Sequence, residues 1–434
     1  MIKISAWRVI WCAHWYCNYV PKGASVLYIG PQDTVLACMC PARGIGVCAK
    51  RYRDETVALF EWHESLQNVP RQIFSYIIID TAYISQRIDD LLIMLRDWCD
   101  AYTRILVQRT TVWGMVWHRN DNFIPRPLLT IAIEQGGFEC IVTEGGMVAG
   151  SWIPFVSRGI QGCISLLPVL RHWGQYQLSV LRMQPMCQVV DSRVSVIIPC
   201  RNEAGTIEHI VQRMPKMGFN TELIFVEGHS SDSTLEVLYR VQQQYNHVPI
   251  VVCVQTKNGK ANAVWEGCAR ATGECIMIFD GDMTVLPEEL PRFYNAFATQ
   301  RGDLINGSRL LLSMESGAML WVNWVVNHSF GWLFSRLLGQ CITDTLCGTK
   351  VFHRRMYDEM VRIDSPWFRM DPFGDFAMLL AVAELGGKII DMPVTYRARQ
   401  YGVTQIQGFF RHGIILLRIF MCALMQRRFL MRIR

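Results

Sequence analysis

Ile276-Met277-Ile278-Phe279-Asp280-Gly281-Asp282-Met283 is an apolar run that stops on two carboxylates one residue apart. Cys275–Phe279 reads as a strand buried on both faces, the pattern of a parallel sheet. The carboxyl end of such a strand is where open α/β sheets bind ligands. Two neighbouring carboxylates are costly there unless a cation or other donors compensate. Asp280 and Asp282 therefore point to a divalent metal on oxygen ligands, its remaining positions taken by water and phosphate. A strand-end Asp is also common as a turn or capping residue, so the neighbouring stretches decide between the two.

Upstream, Arg193–Pro199 reads as a strand followed by Cys200-Arg201-Asn202-Glu203, with Thr206 opening a helix at Ile207. A second strand, Leu223–Val226, runs into Glu227-Gly228-His229-Ser230-Ser231-Asp232-Ser233-Thr234 and a helix over Leu235–Gln243. A third, Ile250–Val254, precedes Asn258-Gly259-Lys260-Ala261-Asn262-Ala263, which opens a helix ending at Ala271-Thr272-Gly273. Downstream lie Asp303–Arg309, Asp344–Phe352 and Gly374-Asp375-Phe376. Strands alternating with helices predict an α/β architecture with a mainly parallel sheet.

The seven of these motifs from the Pro199 strand end through Asp344–Phe352, in this order and spacing, resemble family 2 glycosyltransferases of the GT-A fold, a likeness covering about residues 193–412. Within that family the likeness is to polyprenyl-phosphate (dolichyl-phosphate) sugar transferases. The resemblance implies a nucleotide-diphospho-sugar donor. Pro199, Arg201, Glu203, Glu227, Asp232, Lys260 and Asp280 would border the nucleotide sugar. Asp282, with Asp280 on metal or ribose, would hold Mg or Mn against the diphosphate. Asp232 as a helix cap and Lys260 as a solvated lysine are equally open. Asp375 would serve as general base toward a hydroxyl acceptor, or position groups if the acceptor is a phosphate, which is already a nucleophile. Asp371 rivals it in either role, and Asp375 also fits a helix N-cap. Arg309, Lys350, Arg397 and Arg399 would meet an acceptor phosphate. Two departures stand out: Thr284 replaces the Gln of the family's D-x-D-x-Q, and Gly402-Val403-Thr404-Gln405 lacks the lysine of Gly-x-Ser-Lys.

The first half carries its own alternation. Strands are expected at Ala24–Ile29, Gly44–Lys50, Phe74–Asp80, Thr103–Gln108 and Gly137–Val142, with helices at Ser85–Asp100 and Pro127–Gly136. Ile88, Leu91, Leu92 and Leu95 mark one helix face. The order of these pieces resembles the class I methyltransferase fold, which binds S-adenosylmethionine. Of the glycines expected in its first loop only Gly30 is present. Tyr28 stands where an acid is usual, and Pro31 removes a backbone donor. Cys48-Ala49-Lys50 likewise offers no acid to a ribose. The resemblance thus implies a Rossmann-like domain degenerate in its cofactor loop, kept for docking or scaffolding, with S-adenosylmethionine binding disfavoured.

The chain is 434 residues long, 51% hydrophobic and 18% charged, with net charge +6. That length predicts two or three domains: 1–188 methyltransferase-like, 189–408 glycosyltransferase, and a basic amphipathic tail at 409–434. The 16 cysteines form no C-x-x-C pair, which suits reduced, mostly buried thiols of a cytoplasmic protein. No apolar run reaches 18 residues and no signal-peptide pattern opens the chain, so neither a span nor a leader is expected. After Asp391 there are eight arginines and no acid, interleaved with Leu, Ile, Phe and Met. That mixture fits a helix lying on anionic lipid rather than a nucleic-acid arm. The aromatic-rich stretch Ala318–Thr343 and the apolar stretch within 151–190 also fit an interface. The expectation is a metal-dependent, inverting sugar transferase peripheral to the cytoplasmic face of a membrane, acting on a polyprenyl phosphate or another membrane-associated acceptor. The alternatives are transfer to a glycan or lipid hydroxyl, a bifunctional methyltransferase/glycosyltransferase, and a non-catalytic scaffold.

Overall fold

A computed structural model describes residues 16, 19–21, 23–30, 43–47, 61–63, 65–84, 87–112, 114, 123–146, 175–184, 191–312, 321–399, 401 and 409–428. The expectations for Pro31, for Cys48–Lys50, for most of 151–190 and for Gly402–Ile406 lie outside these residues. The chain divides into two compact units. One holds Met1–Pro185, Glu384–Gly386 and Met425–Arg434; the other holds Met186–Ala383 and Gly387–Leu424.

The first unit is a seven-stranded sheet. Its strands are β1 (Ser25–Ile29), β2 (Arg43–Val47), β3 (Glu61–His63), β4 (Tyr76–Asp80), β5 (Arg104–Thr110), β6 (Phe138–Gly146) and β7 (Tyr176–Met183). Helix α1 (Ile88–Leu95) precedes β5, and α2 (Arg126–Gln135) precedes β6. The order is β3-β2-β1-β4-β5-β7-β6, with β7 antiparallel to both its neighbours. Alternation along the strands sends Leu27, Ile77, Ile79, Ile105 and Val107 to one face, against Leu91, Leu92, Leu95 and Ala132 of the two helices. Val26, Tyr28, Tyr76, Ile78 and Leu106 fill the other. The predicted face of α1 is the one buried. The helix is shorter than its apolar pattern, because Arg96–Trp98 tightens into a 3-10 turn where the Trp98 indole donates to Pro70 O at 3.0 Å. Strand β7 corrects the expectation of an amphipathic surface segment at Leu178–Leu181. Its alternating Gln177 and Ser179 mimic a wet face, yet both are buried between β5 and β6.

The second unit holds β8 (Arg193–Cys200), α3 (Ile207–Arg213), β9 (Asn220–Glu227), α4 (Thr234–Gln244), β10 (Ile250–Val254), α5 (Lys260–Arg270) and β11 (Cys275–Ile278). After them come α6 (Leu290–Ala298), β12 (Leu304–Ser308), α7 (Trp321–Leu338), β13 (Lys350–His353) and α8 (Arg354–Met360). Next are α9 (Pro366–Met370), α10 (Asp375–Glu384), β14 (Ile389–Pro393) and α11 (Phe409–Arg428). The sheet order is β10-β9-β8-β11-β13-β12-β14, and only β13 runs antiparallel to its neighbours. Both sheets are thus mainly parallel, and the α/β class read from the sequence holds. Strands β8 and β11 are each covered on two faces, which is why they read as unbroken apolar runs.

Candidate active site

Three parallel strands end side by side. Ile278 of β11 lies opposite Ile197 of β8, and Cys200 of β8 lies opposite Glu227 of β9. The turns that follow each contain one non-glycine residue in the left-handed region: Asn202, His229 and Met283, with φ of 57°, 56° and 56°. Such a conformation is uncommon outside glycine and concentrates where tertiary contacts hold a functional loop. Side chains tie the loops together. Asn202 Oδ1 accepts from Ser231 N at 2.8 Å, and Asn202 N donates to Ser230 Oγ at 3.0 Å. Glu227 is buried, and its Oε1 accepts from Ser230 N at 2.6 Å. Asp232 Oδ1 accepts from Thr234 N at 3.0 Å, while Thr234 Oγ1 accepts from Glu203 N at 3.0 Å. Asp232 thereby also steadies the start of α4.

Asp280 and Asp282 project from the end of β11 into a set of cations. Lys260, the first residue of α5, places Nζ 2.6 Å from Asp280 Oδ1. Burial works against the charge on Asp280, but Lys260, then Lys350 and Arg309, holds its carboxyl below the usual range. Burial likewise opposes the Lys260 ammonium, and Asp280, Asp375 and Asp282 together keep it above its ordinary value. Lys260 is thus a partnered lysine and not a solvated one. Gly348 admits the Asp280 carboxylate: a Cβ there would sit 2.1 Å from Asp280 Oδ2. Asp282 turns the other way. Its Oδ1 accepts from Thr284 Oγ1 at 2.8 Å, and its Oδ2 accepts from Arg399 Nη2 at 2.6 Å. Arg399 Nη1 reaches Glu203 Oε1 at 3.0 Å, so one guanidinium spans both acids. Glu203 Oε2 is buried without a hydrogen-bond partner. Burial, beyond the opposing pull of Arg399, pushes Glu203 up to about 7.

The cations expected on the acceptor side are distributed differently. Lys350 is fully buried, 3.0 Å from Asp375 Oδ1, and also donates to Cys347 O. Arg309 forks onto Asp344 at 2.7 and 2.9 Å, and Asn327 of α7 donates to the same carboxylate at 2.8 Å. Arg399 belongs with Asp282 and Glu203. Lys350, Arg309 and Arg399, expected to meet an acceptor phosphate, thus each sit against a carboxylate in this structure. Arg397 fixes the chain beside the Asp282 turn through its N–H to Thr284 O at 2.9 Å. Arg201, expected at the nucleotide edge, is exposed and makes no ion pair among the described residues. Pro199 borders the same turn, its carbonyl 3.1 Å from where a Gly281 Cβ would be. The cap of α10 falls to Asp371, whose Oδ2 accepts from Ala377 N at 2.8 Å, and not to Asp375. Sequence reasoning missed Gly348 and Asp344 as individual residues, although both lie inside a motif it singled out.

Among the described residues, no three His, Cys, Asp or Glu converge as a self-sufficient metal cage. Asp280 and Asp282 supply two hard oxygen donors just past the end of β11. That donor set fits Mg or Mn as a shared site completed by diphosphate oxygens.

Residues 195–362 match the family model described as Glycosyl transferase family 2. The chain carries a glycosyl transferase family 2 domain. It is a glycosyltransferase, as its motifs implied. Solved structures of glucosyl-3-phosphoglycerate synthase from Mycobacterium tuberculosis are also similar. One contains Mn2+, uridine diphosphate and glucosyl-3-phosphoglycerate; it is 18% identical over 54% of this chain and 80% of that one, with a TM-score of 0.40. Another contains Mn2+, UDP-glucose and glycerol 3-phosphate, at 18% identity over the same shares and a TM-score of 0.39.

Proposed function

We propose that the glycosyltransferase moves a sugar from a nucleotide-diphospho-sugar to a polyprenyl phosphate or another membrane-associated phosphate acceptor, with inversion. The observation that carries the reading is the Lys350–Asp375 pair. With one oxygen held 3.0 Å from the buried Lys350 Nζ, Asp375 is placed as a positioning group. A hydroxyl acceptor needs a base; a phosphate acceptor does not. Pro199, Glu203, Glu227 and Asp232 shape the nucleotide pocket, and the unsatisfied Glu203 oxygen accepts from a donor hydroxyl or N–H. Lys260 and Arg399, paired with Asp280 and Asp282 here, are the cations assigned to the diphosphate charge. Asp280 and Asp282 would hold Mg or Mn, which would supply Lewis-acid stabilisation for the leaving diphosphate. Arg201, exposed at the nucleotide edge, is the guanidinium assigned to a donor or acceptor phosphate.

Membrane contact has its own support. No described helix is long and apolar enough to cross a membrane. Yet α7 exposes Trp324, Val325 and Trp332, and α11 exposes Ile414, Leu417 and Met421 around Arg418. Apolar faces flanked by arginine suit a lipid surface. For the first unit we propose a methyltransferase-like fold used for docking. The β3-β2-β1-β4-β5 order supports the fold. The buried Tyr28 ring argues against the cofactor, because its hydroxyl lies 2.9 Å from the Cβ position of Gly30.

The test is a panel of UDP- and GDP-sugars with Mn or Mg, with and without a short polyprenyl phosphate, on wild type and Asp282→Ala. Metal-dependent sugar-lipid lost in the variant is the expected result. Nucleotide release that requires a hydroxyl acceptor and vanishes in Asp375→Asn would overturn the phosphate-acceptor reading.

A further inference from the structure

The first unit contains a cavity of about 330 Å³ beneath α2, lined by Arg109, Arg126, Cys140, Thr143, Gln177 and Ser179 among others. Arg109 decides its character. The residue is 6% exposed and sits near the end of β5. Its Nη1 donates to Ile124 O at 3.1 Å and its Nη2 to Gln177 Oε1; both acceptors are neutral. Its Nε is buried with no hydrogen-bond partner. No carboxylate pairs with it among the described residues. Glu139, which also lines the cavity, is held by Arg182 Nε at 2.5 Å, and Glu134 at the rim is exposed and pairs with neither arginine. Burial and then the charge of Arg126 push Arg109 down to about 10, so it is still charged at neutral pH. A buried guanidinium facing a second one, without a counter-ion, is costly. Hydroxyl donors are at hand: Thr143 Oγ1 lies 3.3 Å from Ser179 Oγ.

We infer that this cavity is a binding site for a small oxyanion of the phosphate class, held by Arg109 and Arg126 with Thr143 and Ser179. A planar guanidinium matches two phosphate oxygens at once, and a pair of them matches a dianion. The site is built from residues of the first unit alone. It stands whether or not the acceptor reading does.

Cys140 gives a local readout, because its Sγ lies 3.3 Å from Thr143 Oγ1. The full chain is titrated with inorganic phosphate in metal-free buffer against chloride of equal ionic strength. Thermal melting and alkylation of Cys140 by iodoacetamide at alkaline pH are followed, the latter by peptide mass. Phosphate is expected to raise the melting temperature saturably and to slow Cys140 alkylation several-fold. Both effects disappear in Arg126→Ala, an exposed position that leaves the fold intact, and in Arg109→Lys. Both persist in Asp282→Ala. Tighter protection by glycerol 3-phosphate than by phosphate would assign the site to a phosphate monoester; equal protection would assign it to the free ion. A wild type that ignores phosphate, an Arg126→Ala chain that responds like wild type, or a response lost in Asp282→Ala overturns the inference.

Discussion

Asp280 and Asp282 are separated by a single glycine, yet they meet opposite surroundings. Asp280 is pinned by Lys260 and packed against Gly348; Asp282 is held by Thr284 and Arg399. Asp282→Ala should lower turnover by at least about 100-fold while leaving the urea midpoint near wild type, since its loss removes charge stabilisation and little packing. Steady-state kinetics and unfolding on one preparation check both halves. Glu203 makes a second prediction. Its ordinary value is 4.5 and its folded value is about 7. The folded state therefore keeps a proton that the unfolded chain has released, and stability linked to it is full below 4.5 and lost as pH rises through 7. In metal-free buffer, the midpoint of wild type should fall relative to Glu203→Gln between pH 5.5 and 8.5. Parallel behaviour of the two proteins would refute it. The acids themselves were legible in the sequence. Their cations were not, because Lys260 and Arg399 lie 20 and 117 residues from the acids they meet.

At the scale of elements, the joint between β13 and α10 rests on Lys350 and Asp375, both buried. Lys350→Met should cost about 3–5 kcal/mol, because it strands a carboxylate in the interior. Lys350→Met with Asp375→Leu should recover most of that loss, and urea unfolding of the three proteins measures it. Gly348→Ala should disturb the Asp280 carboxylate and cost about 1–3 kcal/mol by overpacking. A variant with unchanged activity would show that Asp280 has room to move. Element existence followed from hydrophobic period: β1, β4, β8 and β11 are apolar runs covered on both faces, and α1 buries the stripe its spacing marked. Strand β7 did not follow, because buried glutamine and serine between two strands imitate a solvated face.

At the scale of the molecule, the exposed Trp332 and Ile414, 58% and 52% accessible, belong to two helices with arginines nearby. If these faces meet lipid, the full chain should sediment with anionic vesicles, more weakly at high salt. Trp332→Ser with Leu417→Ser should reduce the bound fraction several-fold without changing the melting temperature. Vesicle binding unaffected by the pair of substitutions would remove α7 and α11 from the proposal.

The sequence by itself determined the α/β class, the family 2 domain, and which carboxylates end the sheet, because apolar period and strand-end acids are local patterns. Tertiary structure alone decided the partners. It placed three of the four cations assigned to the acceptor beside carboxylates, made Asp371 and not Asp375 the cap of α10, and left Glu203 and Arg109 incompletely satisfied. Burial raises the cost of every unpaired charge, so the fold settles which charges meet, and no local pattern carries that information.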